Sequence, residues 1–223
     1  MCGIAGYVGT RVIEPERLQS CLALMRRRGP DDAAAGQWLT RTGRHVHLLH
    51  SRLRIIDLHD RANQPFQLGA KWMVFNGELY NYVELREELL AQGCPMTTQS
   101  DTEVLLRIID RFGVSGLERC EGMWAFAVYD ERDGSLLLCR DRFGEKPLYL
   151  YADDGGLYFG SEIKFIRALR GRSLDINTEQ LYRYLVNGYK ALYKHGQTFF
   201  KGLSELPAAT LLRLDAQGRA DRA

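Results

Sequence analysis

The sequence predicts an α+β fold in which antiparallel sheets are stacked and flanked by helices. Residues 123–160 contain four short apolar runs separated by turn residues such as Asp133-Gly134, the pattern of an antiparallel meander. In the first run, large and small apolar residues alternate, so neither face of that strand is polar enough for water. The alternating residues are Trp124, Phe126 and Val128 on one face and Ala125, Ala127 and Tyr129 on the other. Such a strand must be covered on both sides, which indicates stacked sheets with helices outside them.

The first half of the chain alternates strand and helix patterns. The predicted strands are 2–9, 46–56 and 72–75, and the predicted helices are 14–27 and 81–92. Pro15 lies near the first turn of the first helix, where a missing amide hydrogen costs nothing. Asn76-Gly77 separates the strand 72–75 from the helix 81–92 and is predicted to form the turn between them.

The second half begins with a clear helix signal. Ser100 and Glu103 have the spacing of a capping box, and an apolar stripe follows over 104–112. The further predicted strands are 123–129, 135–140, 147–151, 157–160 and 209–214, and the further predicted helices are 161–169 and 178–187. Because residues 216–223 are polar and carry no stop signal, we predict a domain over 1–208 and a linker over 209–223.

Composition restricts the functional class. The 223 residues are 45% hydrophobic and 26% charged, which is ordinary for a globular domain. A net charge of +2 from evenly spread charges argues against nucleic acid, and the N-terminus has neither an export signal nor a membrane-length run. Five cysteines without a CxxC pair argue against a disulfide framework and a zinc ribbon, so we predict a cytoplasmic protein.

Cys2 is the strongest candidate for a nucleophile. Removal of Met1 would leave a free α-amine beside the thiol, and an α-amine titrates near pH ~8, so it can accept the thiol proton. One residue would then supply both nucleophile and base. The alternative is a small buried apolar residue at the start of a strand.

Six segments, in order, resemble one family. They are Cys2-Gly3-Ile4-Ala5-Gly6, Arg28-Gly29-Pro30-Asp31-Asp32, His50-Ser51-Arg52-Leu53, Phe75-Asn76-Gly77-Glu78-Leu79-Tyr80-Asn81, Ser100-Asp101-Thr102-Glu103 and Arg140-Asp141-Arg142-Phe143-Gly144-Glu145-Lys146-Pro147-Leu148-Tyr149. Together they closely resemble the glutaminase domain of the glutamine-dependent asparagine synthetases, which are class II amidotransferases and N-terminal nucleophile hydrolases. The resemblance implies a four-layer αββα sandwich of antiparallel sheets.

The resemblance also implies roles for individual residues. Arg52 matches the family's carboxylate-binding arginine, and Asp101 and Glu78 match its contacts to the substrate ammonium. The Asn76 side chain and the Gly77 amide match the oxyanion hole. Each residue also has a purely structural interpretation. Asp101 suits a helix N-terminus, Glu78 suits a solvated surface, and Asn-Gly suits a simple turn.

Two polar clusters have simpler interpretations. His45 and His47 would lie on one face of a strand and His50 on the other, so no metal site is predicted. Arg26, Arg27 and Arg28 would end a helix favourably, although the Arg28 motif also suggests a loop that closes near the substrate.

The implied activity is hydrolysis of glutamine to glutamate and ammonia through a thioester on Cys2, with ammonia used for amidation of a carboxylate. ATP and Mg²⁺ are expected only in a synthetase domain, because the S-G-G-x-D-S loop of that domain is absent here. The expected partners are glutamine, an ATP-using domain or subunit, and a second copy in a homodimer, with no nucleic acid, membrane, cofactor or metal. The alternatives are a catalytically silent relative and a glutaminase serving amino-sugar or phosphoribosylamine synthesis.

Overall fold

Two six-stranded antiparallel sheets form the centre of the molecule in a computed structural model that describes residues 1–191 and 196–222. The first sheet has the order β10-β8-β9-β1-β3-β2 and consists of β1 (Gly3–Gly9), β2 (Asp32–Leu39), β3 (His45–Arg52), β8 (Tyr149–Asp153), β9 (Gly156–Gly160) and β10 (Leu203–Glu205). The second has the order β12-β11-β7-β6-β5-β4 and consists of β4 (Phe66–Leu68), β5 (Lys71–Leu79), β6 (Gly122–Asp130), β7 (Ser135–Arg140), β11 (Thr210–Leu214) and β12 (Ala220–Arg222).

Helices cover the outer faces of the sheets. They are α1 (Pro15–Met25), α2 (Tyr82–Ala91), α3 (Asp101–Phe112), α4 (Ile163–Arg170) and α5 (Thr178–Asn187), with 3-10 turns at Asp60–Ala62, Gly113–Arg119 and Gly188–Ala191. Within the described residues, none of these helices is long and apolar enough to span a bilayer.

Three apolar layers hold the elements together. One lies between α1 and α4 and the first sheet, where Cys21, Met25 and Phe165 are buried. A second fills the space between the two sheets, and a third packs α2 and α3 against the second sheet. The predicted four-layer αββα sandwich is therefore confirmed.

Strand β6 confirms the argument from alternating apolar residues. Trp124, Phe126 and Val128 pack into the layer beneath α2 and α3, whereas Ala125, Ala127 and Tyr129 pack between the sheets. Each face of the strand thus contacts a different apolar layer.

The predicted turn at Asn76-Gly77 is wrong. Both residues lie inside β5, opposite Ala125 and Trp124 of β6, and the strand ends at Leu79. Glycine is required at 77 by a close approach between strands, because a Cβ there would lie 2.3 Å from the Met123 carbonyl oxygen. In this chain the Asn76-Gly77 pair therefore marks a close approach between two strands and not a turn.

The segment predicted as a linker over 209–223 contributes β11 and β12 to the second sheet. Leu211 pairs with Cys139 of β7, and Leu214 is buried between the sheets. Strand β12 pairs with Leu212–Leu214 although its side chains are exposed and polar. A polar edge strand lacks the apolar alternation by which strands are recognised in a sequence, so β12 escaped prediction.

Candidate active site

All six residues predicted to form the site line one pocket, at the edge of the second sheet and beside the N-terminus. They are Cys2, Arg52, Asn76, Gly77, Glu78 and Asp101. They come from the start of β1, the end of β3, the last part of β5 and the first turn of α3. The stacked sheets thus bring together residues that are far apart in the sequence.

The pocket is built on the edge of β5 that faces away from β6. Strand β4 pairs with Lys71–Met73 only, so the edge of β5 is free beyond that point. Two side chains cap it: Gln64 Oε1 accepts from the Phe75 amide at 2.6 Å, and Asp101 Oδ2 accepts from the Leu79 amide at 3.1 Å. The amide midway between them, that of Gly77, faces the pocket.

The pairing of β6 explains why the Gly77 amide is available. Trp124, which lies opposite Gly77, uses both its backbone groups on Asp141: its amide donates to Oδ2 at 3.2 Å, and its carbonyl accepts from the Asp141 amide at 2.9 Å. Gly77 and Trp124 are therefore a non-hydrogen-bonded pair of the antiparallel ladder. The Gly77 N–H points away from β6, in the same direction as those of Phe75 and Leu79.

Asn76 supplies a second donor. Its side chain is 1% exposed, and its Nδ2 has no hydrogen-bond partner among the described residues. A buried amide left without a partner costs about 1–3 kcal/mol, so its retention at a pocket wall indicates a partner that arrives with a ligand. The Asn76 amide and the Gly77 N–H together can receive an anionic oxygen.

Cys2 is held by its backbone. Arg28 Nε donates to the Cys2 carbonyl oxygen at 2.8 Å, and the guanidinium is itself fixed by Glu162 at 3.1 Å. The Cys2 thiol lies at the pocket, with the Leu53 amide 3.4 Å from its sulfur. The Arg28 motif, considered from the sequence for loop closure, thus anchors the backbone of Cys2.

Met1 lines the same pocket. Its ammonium donates to the Arg28 carbonyl oxygen at 3.3 Å, and its sulfur lies 3.5 Å from Lys146 Nζ. In this form the nitrogen of Cys2 belongs to a peptide bond. Removal of Met1 would free both that nitrogen and the space beside it.

The environment acts differently on the pKa of Cys2 and on the pKa of three other thiols. Burial raises the pKa of Cys21 and Cys139 to about 12 and that of Cys120 to about 11, so these thiols stay protonated. Burial also raises the pKa of Cys2, but the Leu53 amide and the positive charges of the N-terminus and Arg52 oppose that shift. All five cysteines are free.

Arg52 organises the loop that follows β3. Its four terminal N–H groups are directed at Ile56 O, Asp57 O, His59 O and Asn63 Oδ1, with 2.6 Å to Asn63 and 3.0 Å to His59. The side chain is buried and lines the pocket. The guanidinium therefore sits at the centre of the loop 53–63, which forms one wall of the pocket.

Asp101 is a buried carboxylate with no ion-pair partner among the described residues. Burial raises its pKa to about 6, the Leu79 amide opposes this shift, and the nearby charge of Glu78 adds to it. Glu78 lies on β5 and not at the start of a helix, so its side chain shares the pocket with Asp101. Two interacting carboxylates in one pocket favour a cationic group between them.

The histidines follow the predicted alternation. His45 and His47 stack on one face of β3, while His50 on the other face contacts the Phe75 carbonyl oxygen at 3.2 Å. Burial lowers the pKa of His50 to about 3, so its neutral ring donates that hydrogen bond from Nε2. Among the described residues, no cluster of histidine, cysteine, aspartate or glutamate side chains could hold a metal ion.

Among the pocket residues that were not assigned a role from the sequence are Gln64, Met123 and Lys146. Lys146 is 6% exposed, and its amide donates to Asp141 Oδ2 at 3.0 Å. It belongs to the segment 140–149, so the motif could have identified it. Gln64 belongs to no motif of the sequence, and its contact with β5 follows from the tertiary fold.

A comparison with protein families assigns the chain to a family. A model described as a glutamine amidotransferase domain matches residues 1–223. The chain belongs to the glutamine amidotransferase family. Within this amidotransferase domain, the residues that the sequence predicted for the site, from Cys2 to Asp101, line one pocket.

Curated relatives of the amidotransferase domain include asparagine synthetase [glutamine-hydrolyzing] 1 of Bacillus subtilis, 34% identical over 192 residues, which are 83% of this chain and 29% of that protein. A putative asparagine synthetase [glutamine-hydrolyzing] 2 of Methanocaldococcus jannaschii is 32% identical over 210 residues, 85% of this chain and 40% of that protein. The chain thus spans 29–40% of the length of these two relatives.

A solved structure confirms the fold of the amidotransferase domain. The glutamine phosphoribosylpyrophosphate amidotransferase from B. subtilis, complexed with ADP and GMP, superimposes with a TM-score of 0.69. It covers 99% of this chain and 49% of its own, at 18% identity. At that identity the likeness concerns the architecture alone.

Proposed function

We propose that this domain hydrolyses glutamine to glutamate and ammonia through a γ-glutamyl thioester on Cys2, once Met1 has been removed. The observation that carries the proposal is the free edge of β5. The Gly77 N–H of this edge and the Asn76 amide, whose Nδ2 has no partner among the described residues, lie on the wall of the pocket that contains the Cys2 thiol. A thiol and two fixed oxyanion donors are the groups that acyl transfer requires.

The steps follow from the groups present. The α-amine of Cys2 takes the thiol proton, and the thiolate attacks the side-chain amide carbon of glutamine. Asn76 and Gly77 stabilise the resulting oxyanion, and the protonated α-amine returns its proton to the departing nitrogen, which leaves as ammonia. Water then attacks the thioester, releasing glutamate and restoring the thiol.

Asp101 and Glu78 suit the α-ammonium of the substrate, because both line the pocket and their charges are close enough to interact. The Arg52 loop suits the α-carboxylate, since Arg52 supplies a fixed positive charge there. Each charged group of glutamine thus meets an opposite charge.

A catalytically silent relative is the less well supported alternative. A silent pocket has no use for a buried amide without a partner, since an apolar side chain at position 76 would avoid that cost. A steady-state glutaminase assay of protein that begins at Cys2 separates the two.

We predict that the isolated domain releases ammonia from glutamine without ATP and in the presence of a metal chelator. Every group assigned above serves amide cleavage, and none is a nucleotide-binding motif. Ammonia release is measured with and without ATP and Mg²⁺, with Cys2→Ala protein as the blank. Strict dependence on ATP or Mg²⁺ would contradict the proposal.

We also propose that the ammonia passes to an ATP-using synthetase domain or subunit that amidates a carboxylate. This part rests on the relatives named as asparagine synthetases, of which the chain spans 29–40%. Their similarity favours this destination over amino-sugar or phosphoribosylamine synthesis. A cytoplasmic location belongs to the proposal as well, since five free cysteines suit a reducing compartment.

We predict that Asp101→Asn weakens glutamine binding by about ten- to hundred-fold while leaving the fold at least as stable at pH 8. The carboxylate supplies a charged hydrogen bond to the ammonium, worth about 1.5–3 kcal/mol. Its raised pKa means that the folded state favours the neutral acid, so stability from this group declines as pH rises through about 6. Replacing the charge with an amide removes that penalty at pH 8.

The measurement is calorimetric glutamine binding to Cys2→Ala protein, together with thermal unfolding. Affinity in the Asp101 parent should also fall as pH drops below about 6, because protonation removes the charge. Asp110→Asn is the matched control: Asp110 lies on the same helix but at the surface, paired with Lys71. Equal affinity in the Asp101→Asn and parent proteins would remove Asp101 from the site.

A further inference from the structure

Asp57, in the loop 53–63 that surrounds Arg52, combines a strained backbone with a buried charge. Its φ of 49° lies in the left-handed region, which is costly for a residue other than glycine. Its side chain is 1% exposed, although its neighbours Leu58 and Asp60 are exposed. A strained residue with a buried carboxylate persists where its contacts fix it in place.

The carboxylate ties this loop to the segment that precedes α3. Asp57 Oδ2 accepts from the Gln99 amide at 2.7 Å, and Oδ1 accepts from the His59 amide at 3.2 Å. Arg61 Nε adds a charged contact to Oδ2 at 3.1 Å. Burial alone would raise the pKa of Asp57, but these donors lower it below its ordinary value, so the group is anionic at neutral pH.

The backbone of the same residue contacts the other side of the pocket, because the Asp57 carbonyl oxygen accepts from Arg52 Nη2. Gln99 immediately precedes Ser100, whose hydroxyl caps α3 by accepting from the Glu103 amide at 3.2 Å, and Asp101 is the first residue of that helix. Asp57 therefore bonds directly to Arg52 through its carbonyl oxygen. Through its carboxylate it bonds to Gln99, which lies two residues before Asp101.

We infer that Asp57 is a positioning residue that sets the spacing between Arg52 and Asp101 and thereby determines the affinity for an α-amino-acid head group. The inference rests on the proposed function, in which Arg52 and Asp101 receive the carboxylate and ammonium of glutamine. Those two groups are attached to one carbon, so their separation is fixed, and the protein groups that receive them need a matching separation. Asp57 is assigned no contact with the carboxylate or the ammonium of the substrate and acts through Arg52 and Asp101.

Asp57→Asn tests this inference directly. Asparagine tolerates a positive φ, but it has one side-chain oxygen, so its NH2 group would face the Gln99 or the His59 amide, donor against donor. We expect KM for glutamine to rise about ten-fold while kcat stays within about two-fold, because the thiol and the oxyanion donors lie on other elements. Asp57→Gly, which relieves the strained φ while deleting the acceptors, should raise KM similarly and serves if Asp57→Asn does not fold.

Two variants of the same loop are controls. Asp60→Asn is the same substitution at a side chain that is 81% exposed and paired with Arg54, and Arg61→Ala removes the surface partner of Asp57 while keeping the Gln99 contact. Both should leave KM within about two-fold of wild type. An unchanged KM in Asp57→Asn, or a fall in kcat alone, would overturn the inference.

A wild-type domain that does not hydrolyse glutamine contradicts the proposed function whatever Asp57 does. Calorimetric binding of glutamine to Cys2→Ala protein, with and without Asp57→Asn, still tests the positioning role, and equal affinities would overturn it.

Discussion

Protein that retains Met1 is expected to be at least a thousand-fold less active as a glutaminase than protein that begins at Cys2, and no more active than Cys2→Ala. In the Met1 form, the nitrogen of Cys2 is a peptide nitrogen without a usable lone pair, so the general base is lost; general base catalysis contributes roughly 10²–10⁴-fold. Met1 also lines the pocket that the substrate amide must enter. Both effects act while the thiol remains in place.

Glutaminase activity is measured in two proteins that differ only in the presence of Met1. Two proteins released from a cleavable N-terminal fusion, one beginning at Met1 and the other at Cys2, differ by a single residue, and intact mass identifies each. Gly3 must be left alone, since a Cβ there would lie 2.9 Å from the Ser51 hydroxyl. Full activity in protein whose mass still includes Met1 would refute the N-terminal nucleophile mechanism.

Asn76→Ala is expected to lower kcat by on the order of a hundred-fold or more while KM changes little. The Asn76 amide has no partner among the described residues, so its hydrogen bond forms when the oxyanion appears. An interaction made in the transition state affects kcat and kcat/KM equally. Asn76→Asp, which keeps the shape but places a negative oxygen near the oxyanion, should be worse still.

Asn81→Ala is the control for Asn76. Asn81 lies two residues after the end of β5 and does not line the pocket. Its side chain donates to the Arg119 carbonyl oxygen and accepts from the Glu121 amide, at 3.0 Å each. Its loss should lower thermal stability without a comparable effect on kcat. A variant of Asn76 that is impaired in substrate binding alone would exclude it from the oxyanion hole.

Most of the architecture was predictable because apolar side chains report which faces are buried. The alternation in β6 indicated two covered faces, and the capping box at Ser100 located the start of α3. Strand β2 was missed because its Asp32–Leu39 sequence is rich in alanine and glycine, which favour strands weakly. Strands β4 and β10, with three residues each, are too short to show a period.

The motifs predicted which residues meet in the site, but the geometry of the site depends on contacts that no local pattern encodes. Asn76 and Gly77 resembled a turn because the dipeptide is common there, whereas the close approach of β6 is what requires glycine. The side chain of Gln64 reaches the Phe75 amide from a separate segment, and the Arg52 guanidinium is committed to its own loop. Such contacts arise when distant segments pack.

The free edge of β5 also limits what the pocket can accept. An open strand edge ordinarily invites β-augmentation, in which a peptide adds as a further strand by pairing with successive amides and carbonyls. Here the Gln64 carbonyl and the Asp101 carboxylate occupy the amides of Phe75 and Leu79, on either side of Gly77. The opening between them is one donor wide, so it suits a single oxygen atom and leaves no ladder on which an extended chain could align.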